Sequence, residues 1–209
     1  MSKLIQIGGV GLLTNTSKMP CKSFGFSPDN CITGAKLAKI PGTICSECYA
    51  MKGNYCFKNV KNAHKVRFEE MKKDFQAFED LMVEAINNEN NKYFRWHDSG
   101  DIQSVEHLII IFNVCHRTPK VRHWMPTREY KIIRQAVRAG LVFPKNLIIR
   151  VSATNIDGPL PQGFEHTSSV HKNSVAHGIE CKAYTRNGEC GNCRKCWDFN
   201  VKNVSYPVH

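Results

Sequence analysis

The stretch Tyr93-Phe94-Arg95-Trp96-His97-Asp98-Ser99-Gly100-Asp101-Ile102 decides the fold. An aromatic, strand-like run ends abruptly in two carboxylates that bracket a Ser-Gly turn. A rhythm spreads outward from it: a strand at 93–97, a helix at about 104–116, a strand at 121–125, a helix at 129–139 ended by Gly140, and a strand at 147–153. Three strands alternating with two helices predict right-handed βαβ units and a parallel sheet. The expected class is α/β, with a βαβαβ core at 93–153. At 209 residues the chain is shorter than the roughly 250 typical of a full eight-stranded barrel. The sheet is therefore expected to form a trimmed or incomplete TIM-like barrel. No low-complexity stretch or linker divides the chain, so residues 1–209 are expected to be a single α/β domain.

In such sheets the carboxyl ends of the strands face the ligand crevice. The predicted strand ends bring Asp98 and Asp101, then Thr127-Arg128-Glu129, then Ser152, Thr154 and Asn155 to one rim. Asp98 and Asp101 are the candidate catalytic pair, with His97, Arg128 and Glu129 as orienting groups. Two neighbouring acids are pushed to different pKa values, which divides nucleophile and acid roles between them. The plainer alternative is that both aspartates cap the turn and the helix that follows.

Upstream, Leu4-Ile5-Gln6-Ile7 reads as a strand and Gly8-Gly9-Val10-Gly11 as a tight turn, matching neither the P-loop nor the dinucleotide fingerprint. Residues 15–56 form a cysteine-rich loop with no period of either kind, and a loop of that length needs a tether. Over 62–89, Phe68, Met71, Phe75, Phe78 and Met82 recur at steps of three and four, predicting a helix with one core face. Beyond Asp157 the chain reads as loop-rich, with His166, His171 and His177.

Lys and Arg number 29 against 18 Asp and Glu, a net charge of +11, and an excess of that size points to a polyanion such as DNA or another nucleic acid. Lys52, Lys58, Lys61, Lys65 and Arg67, interleaved with Tyr55 and Phe57, are the candidate nucleic-acid-binding residues, suited to phosphates and base stacking. A solvated charged face explains the lysines as well. No apolar run approaches the roughly 18 residues of a membrane span, and Met1-Ser2-Lys3-Leu4 lacks the apolar stretch of a signal peptide. The expected location is the cytoplasm, without membrane partners.

Ten cysteines in a reducing compartment point to metal rather than disulfides. Cys181, Cys190, Cys193 and Cys196 make a C-x8-C-x2-C-x2-C set in the segment 177–209, with His209 as a further candidate ligand. The spacing suits a four-iron cluster, and zinc accepts the same donors. Cys21, Cys31, Cys45 and Cys48 form a possible second metal site, and whether the two groups converge on one centre is open. Cys115 falls inside an apolar helix pattern and reads as core.

Cys45-Ser46-Glu47-Cys48-Tyr49-Ala50 resembles the C-x2-C-Y-A piece of radical S-adenosylmethionine enzymes, in which three cysteines leave one iron open to the cofactor. The first cysteine of that pattern would fall at Pro41, so Cys31 would have to serve in its place. More broadly, Ser17-Lys18-Met19-Pro20-Cys21, the Cys45–Ala50 knuckle with Lys52-Gly53-Asn54-Tyr55, the Ser99-Gly100-Asp101 turn and the closing cysteines resemble an uncharacterised family of small phage-encoded proteins, which implies the host cytoplasm. A more distant resemblance is to the tRNA-guanine transglycosylases and their DNA-directed relatives that exchange guanine for a 7-deazaguanine. Those are α/β barrels with two aspartates and a late three-cysteine, one-histidine site. The resemblance implies Asp98 and Asp101 as the carboxylates and Cys190, Cys193, Cys196 and His209 as the metal set.

The leading expectation is thus a DNA guanine transglycosylase taking a small purine-like base through an aspartate nucleophile. The alternatives are an iron-sulfur enzyme using S-adenosylmethionine, and a non-enzymatic, metal-stapled DNA-binding protein.

Overall fold

The computed structural model describes residues 4–208, so His209 lies outside the described residues. A small antiparallel hairpin, β1 (Gln6–Ile7) and β2 (Val10–Gly11), opens the chain. The tight turn expected at Gly8-Gly9 is its tip, where both glycines take positive φ. The main sheet begins at β3 (Ser23–Phe24) and continues with β4 (Tyr93–Trp96), β5 (Arg122–Thr127), β6 (Leu147–Ile156), β7 (Thr167–His171), β8 (Ile179–Glu180) and β9 (Asn203–Pro207). Its order is β3-β4-β5-β6-β7-β9-β8, and every pairing is parallel. Among the described residues no pairing joins β8 back to β3.

Helices α1 (Ile32–Leu37), α2 (Lys58–Lys73) and α3 (Phe75–Asn88) lie between β3 and β4, α4 (Val105–Arg117) between β4 and β5, and α5 (Tyr130–Arg138) between β5 and β6. The 93–153 core thus has the expected βαβαβ order. The single helix expected over 62–89 is two helices. Asp74 breaks it with extended backbone (φ −151°, ψ 96°), and its side chain accepts from the Ala77 amide at 2.9 Å to start α3. Ser104 starts α4 in the same way, accepting from His107 N at 3.0 Å. The tail expected to be loop-rich carries β7, β8 and β9.

Strand alternation sorts the sheet into two faces. Phe94, Trp96, Met125 and Leu147 point to the helices and join one core with Leu108 and Ile111. Cys115 is fully buried in that core, as expected. The opposite face carries Tyr93, Arg95, Trp124, Ile148 and Arg150, with Arg95 beside Trp124 and Trp124 beside Ile148 in register. Among the described residues no α-helix packs on it there, only a single 3-10 turn at Lys195–Trp197. Met19, Cys21 and Trp197 pack on it, and the Trp197 indole N–H donates to the Phe94 carbonyl at 2.9 Å.

Arg150 locks this cover in place. It is fully buried, and its guanidinium donates to the carbonyls of Cys196 (3.0 Å), Val201 (2.8 Å), Lys195 (3.1 Å) and Asp198 (3.0 Å). A buried charge is tolerable only when its donors are satisfied, and here one side chain ties the whole 195–201 loop to the sheet.

Candidate functional site: the carboxyl rim of the sheet

The long segment between β3 and α2 folds over the carboxyl ends of the parallel strands, and each strand end holds it by a different bond. At the end of β5, Glu129 accepts from Thr33 N and Thr33 Oγ1, both at 2.6 Å. Thr33 sits in the first turn of α1, where free amides and the helix dipole favour a carboxylate. Arg128 directs Nη1 at the Cys45 sulfur. At the end of β4, the Asp98 carbonyl accepts from Tyr49 OH, and Asp98 Oδ2 accepts from Tyr55 OH at 3.1 Å. At the end of β6, Asn155 bridges to Thr43 and the Ile156 amide donates to the Gly42 carbonyl at 3.1 Å.

These anchors gather Cys31, Cys45 and Cys48. The space where a Cβ on Gly34 would stand lies 3.5 Å from the Cys45 sulfur and 3.6 Å from the Cys31 sulfur, so the two sulfurs face one small volume. Burial pushes the Cys31 thiol up, and the nearby charges of Asp101, Cys48, Cys45 and Glu129 push it further. Burial also raises Cys45, against which the Arg128 guanidinium works to favour the thiolate. Three thiols with one cation make a donor set for a thiophilic metal. Among the described residues, no three His, Cys, Asp or Glu groups are already spaced to hold a single ion.

The two aspartates are differently placed from what a solvent-facing pair requires. Asp101 accepts from its neighbour Ile102 N (2.8 Å), Thr127 Oγ1 (2.6 Å) and Arg128 N (2.7 Å), so both its oxygens are engaged in holding β4 to β5. Burial, with Glu129 nearby, nevertheless pushes its pKa up to about 7. Asp98 is fully buried, and its Oδ1 has no hydrogen-bond partner. Arg67, Arg95 and His64 lie within its electrostatic reach. A Cβ on Gly25 would overlap Asp98 Oδ1 and come within 3.0 Å of Ser99 N, so residue 25 can only be glycine. His97 leaves the rim: with φ at 51° its ring turns into the helix-side core against Phe26 and His107, both nitrogens unpartnered. The rim therefore unites Asp98, Asp101, Arg128 and Glu129 but excludes the His97 ring.

The chain matches the Gene product 88 family over residues 10–199. It belongs to that family. No curated protein and no solved structure matches it.

The other candidates divide in this family member as follows. Of the basic run, Lys58, Lys61 and Lys65 line an exposed, open depression on α2 with Asn59 and Asn62. Lys52 pairs with Glu47 at 2.8 Å. Arg67 is buried instead, donating to the Gly11 carbonyl and Thr14 Oγ1, each at 2.8 Å, because its guanidinium pins the first hairpin to α2. Cys21 stands apart from Cys31, Cys45 and Cys48 and meets Cys190 on the helix-free sheet face. Tyr49, Tyr55, Thr33 and Arg95 complete the rim, and sequence reasoning assigned none of them there. The CYA knuckle was the one signal that pointed at Tyr49.

Among the described residues, no helix is long and apolar enough to cross a membrane.

Proposed function

We propose that this protein is an iron-sulfur enzyme that uses S-adenosylmethionine on a nucleic-acid substrate. One observation carries the reading: Cys31, Cys45 and Cys48 are gathered at the carboxyl rim of a parallel sheet by groups supplied from three successive strand ends. The sequential order β3-β4-β5-β6-β7 supports treating the sheet as an incomplete barrel whose open mouth is that rim.

The donor set fits such a group. Cys31, Cys45 and Cys48 would hold three irons of a four-iron cluster and leave the fourth for the cofactor, and such a cluster, once reduced by an external electron donor, would supply one-electron chemistry. The chain's own residues hold and tune the site. Glu129 fixes the helix that follows Cys31, and Arg128 offsets thiolate charge at Cys45. Arg95 donates to Tyr49 OH at 2.9 Å and stacks over Trp124, keeping a cation beside the rim. Lys58, Lys61 and Lys65 flank the loop as a phosphate-binding track, and the net charge of +11 agrees.

The test is anaerobic reconstitution with iron and sulfide, followed by iron counting, electron paramagnetic resonance and an assay for reductive cleavage of S-adenosylmethionine. A reducible cluster that disappears in Cys45→Ser, together with cleavage of the cofactor, is expected. A colourless protein with neither sinks the reading.

A second reading, base exchange in DNA through a carboxylate, draws support from the pKa of Asp101 near 7, which suits a proton-transfer group. It is weakened by the hydrogen bonds that engage both Asp101 oxygens and by the full burial of Asp98. Incorporation of labelled guanine or a deazaguanine into DNA tests it directly. Nucleic-acid binding with neither activity would favour the metal-stapled binder.

A further inference from the structure

We infer that Cys21, Cys181, Cys190 and Cys196 form a second, four-thiolate metal centre on the helix-free face of the sheet, independent of the rim, and that Cys193 is not among its ligands.

The four residues come from chain segments that have no other reason to meet. Cys21 and Cys190 pack with Met19, Trp124 and Trp197 in one buried group, which Cys196 also joins. The Cys190 amide donates to the Lys18 carbonyl at 2.9 Å, binding the 18–21 strap to the terminal segment. The Cys181 amide donates to the Ser205 carbonyl at 2.8 Å, and the next residue, Tyr206, brings its hydroxyl within 3.3 Å of the Cys196 sulfur. Cys190 lies within electrostatic reach of Cys21 and Cys196, and Cys181 within reach of Cys190 and Cys196; of Cys21, Cys190 and Cys196, Cys193 reaches Cys190 alone.

Charge supplies a separate argument. Lys18 lies over the Tyr206 ring, Arg95 over Trp124 and Arg194 over Tyr93, and Arg150 donates to the Cys196 carbonyl, so four cations border the cysteines. A metal bound by four thiolates carries net negative charge, and such an environment stabilises it. Cys193 sits outside, exposed, with the neighbouring Arg194 side chain curled back onto the Cys193 carbonyl at 2.8 Å.

The polar contacts tie the terminal segment to the 18–21 strap, so metal binding would contribute directly to the fold of this face. Thiolate chemistry accepts either an iron-sulfur cluster or zinc, and the measurement separates them.

The experiment uses the full chain carrying Cys31→Ser, Cys45→Ser and Cys48→Ser, so that failure of the rim reading leaves it intact. Metal analysis and absorption spectroscopy of this variant, purified anaerobically, are expected to find retained iron with sulfide, or one zinc per chain. Adding Cys21→Ser is expected to remove that metal, whereas adding Cys193→Ser leaves it in place. Should the Cys21→Ser protein fail to fold, alkylation of the parent variant decides the matter. Cys181 and Cys190, both part-exposed, should resist labelling until a chelator is added, while Cys193 labels at once. Absence of metal, retention of metal without Cys21, or loss of metal without Cys193 overturns the inference.

Discussion

Glu129 grips Thr33 with both carboxylate oxygens, one on the backbone amide and one on the hydroxyl, across 96 positions of sequence. This pair couples the end of β5 to the helix that begins beside Cys31. Glu129→Gln keeps the shape but removes the charge: its carbonyl can still accept from the Thr33 amide, while the Thr33 hydroxyl must turn to accept from its NH2, so both bonds lose their charge assistance. A charge-assisted hydrogen bond is worth about 1.5–3 kcal/mol, and the loss should appear as local opening of the loop. Hydrogen exchange over residues 31–37 is expected to accelerate at least about tenfold, the equivalent of 1.4 kcal/mol. Unchanged exchange would show that the grip is incidental.

Gly25 lies against Asp98 with no space for a side chain. Gly25→Ala pushes a methyl into Asp98 Oδ1 and the Ser99 amide, whose backbone is tied on either side by Asp98 N to Phe24 O (3.2 Å) and Phe26 N to Ser99 O (3.1 Å), and overpacking of this kind costs about 1–3 kcal/mol. Urea unfolding is expected to register that loss, whereas Gly42→Ala, where the lost hydrogen meets open space, pays only for its positive φ. Equal stability of Gly25→Ala and the parent protein would mean that the rim is looser than the packing implies.

His123 is neutral in the fold for a definable reason. The Trp96 indole N–H donates to Nδ1 at 3.3 Å, and Nε2 lies 2.9 Å from Thr118 Oγ1, whose hydroxyl donates to the Val114 carbonyl. Only the tautomer with its proton on Nε2 satisfies all three. A second proton on Nδ1 would meet the indole hydrogen, and burial has already lowered the pKa to about 3. Because the folded value lies below the unfolded one, stability is intact above pH 6.5 and falls as the pH drops toward 3. Below pH 6.5 one such histidine costs up to about 1.4 kcal/mol per pH unit. His107, lowered to about 3 by burial alone, acts in the same direction. Unfolding free energies at pH 7 and pH 5 are expected to differ by several kcal/mol, and the difference should shrink in His123→Gln.

The polar track on α2 has its own signature. Lys58→Ala with Lys61→Ala is expected to weaken binding of single-stranded nucleic acid by a similar factor for every sequence, and to reduce the slope of affinity against salt by about one to two units. Arg67→Ala should instead unfold the first hairpin, since that side chain is buried in hydrogen bonds to Gly11 and Thr14. A salt slope unaffected by the lysine changes would move the nucleic-acid surface elsewhere.

What sequence made legible follows physical lines. The β4-to-β6 core could be read because each strand is a short, mostly apolar run and the apolar residues of the intervening helices recur on the face that covers them. β7 and β9 escaped because their buried positions, Val204 apart, are polar and satisfy one another. Thr167 donates to Asn203 at 2.8 Å, Asn203 to Ser169 at 2.9 Å, and Ser169 to Ser205 at 3.1 Å. A ladder of serines and asparagine inside a sheet looks like loop to any hydrophobic pattern. At the rim, the partners of the candidate residues were hidden. Nothing in the spacing of Glu129 and Thr33, or of Cys21 and Cys190, announces that they meet: the first contact depends on how a 68-residue excursion between β3 and β4 folds back, the second on how the terminal segment returns to the strap before β3.

Arg150 offers the sharpest test of how the terminal segment is held. Four of its six carbonyl partners belong to residues 195–201, and burial depresses its pKa while nearby Tyr206, Cys196 and Asp198 favour the charge. Arg150→Met fills most of the volume yet leaves those carbonyls without donors inside the protein. Losing several charge-assisted bonds at once should cost at least about 3 kcal/mol. The loss should be local before it is global, because the helix-side core does not use Arg150. Limited proteolysis is therefore expected to cut within 195–201 while far-UV circular dichroism stays near that of the parent. Loss of helical signal at the same denaturant concentration as loop cleavage would show instead that the two faces of the sheet unfold as one unit.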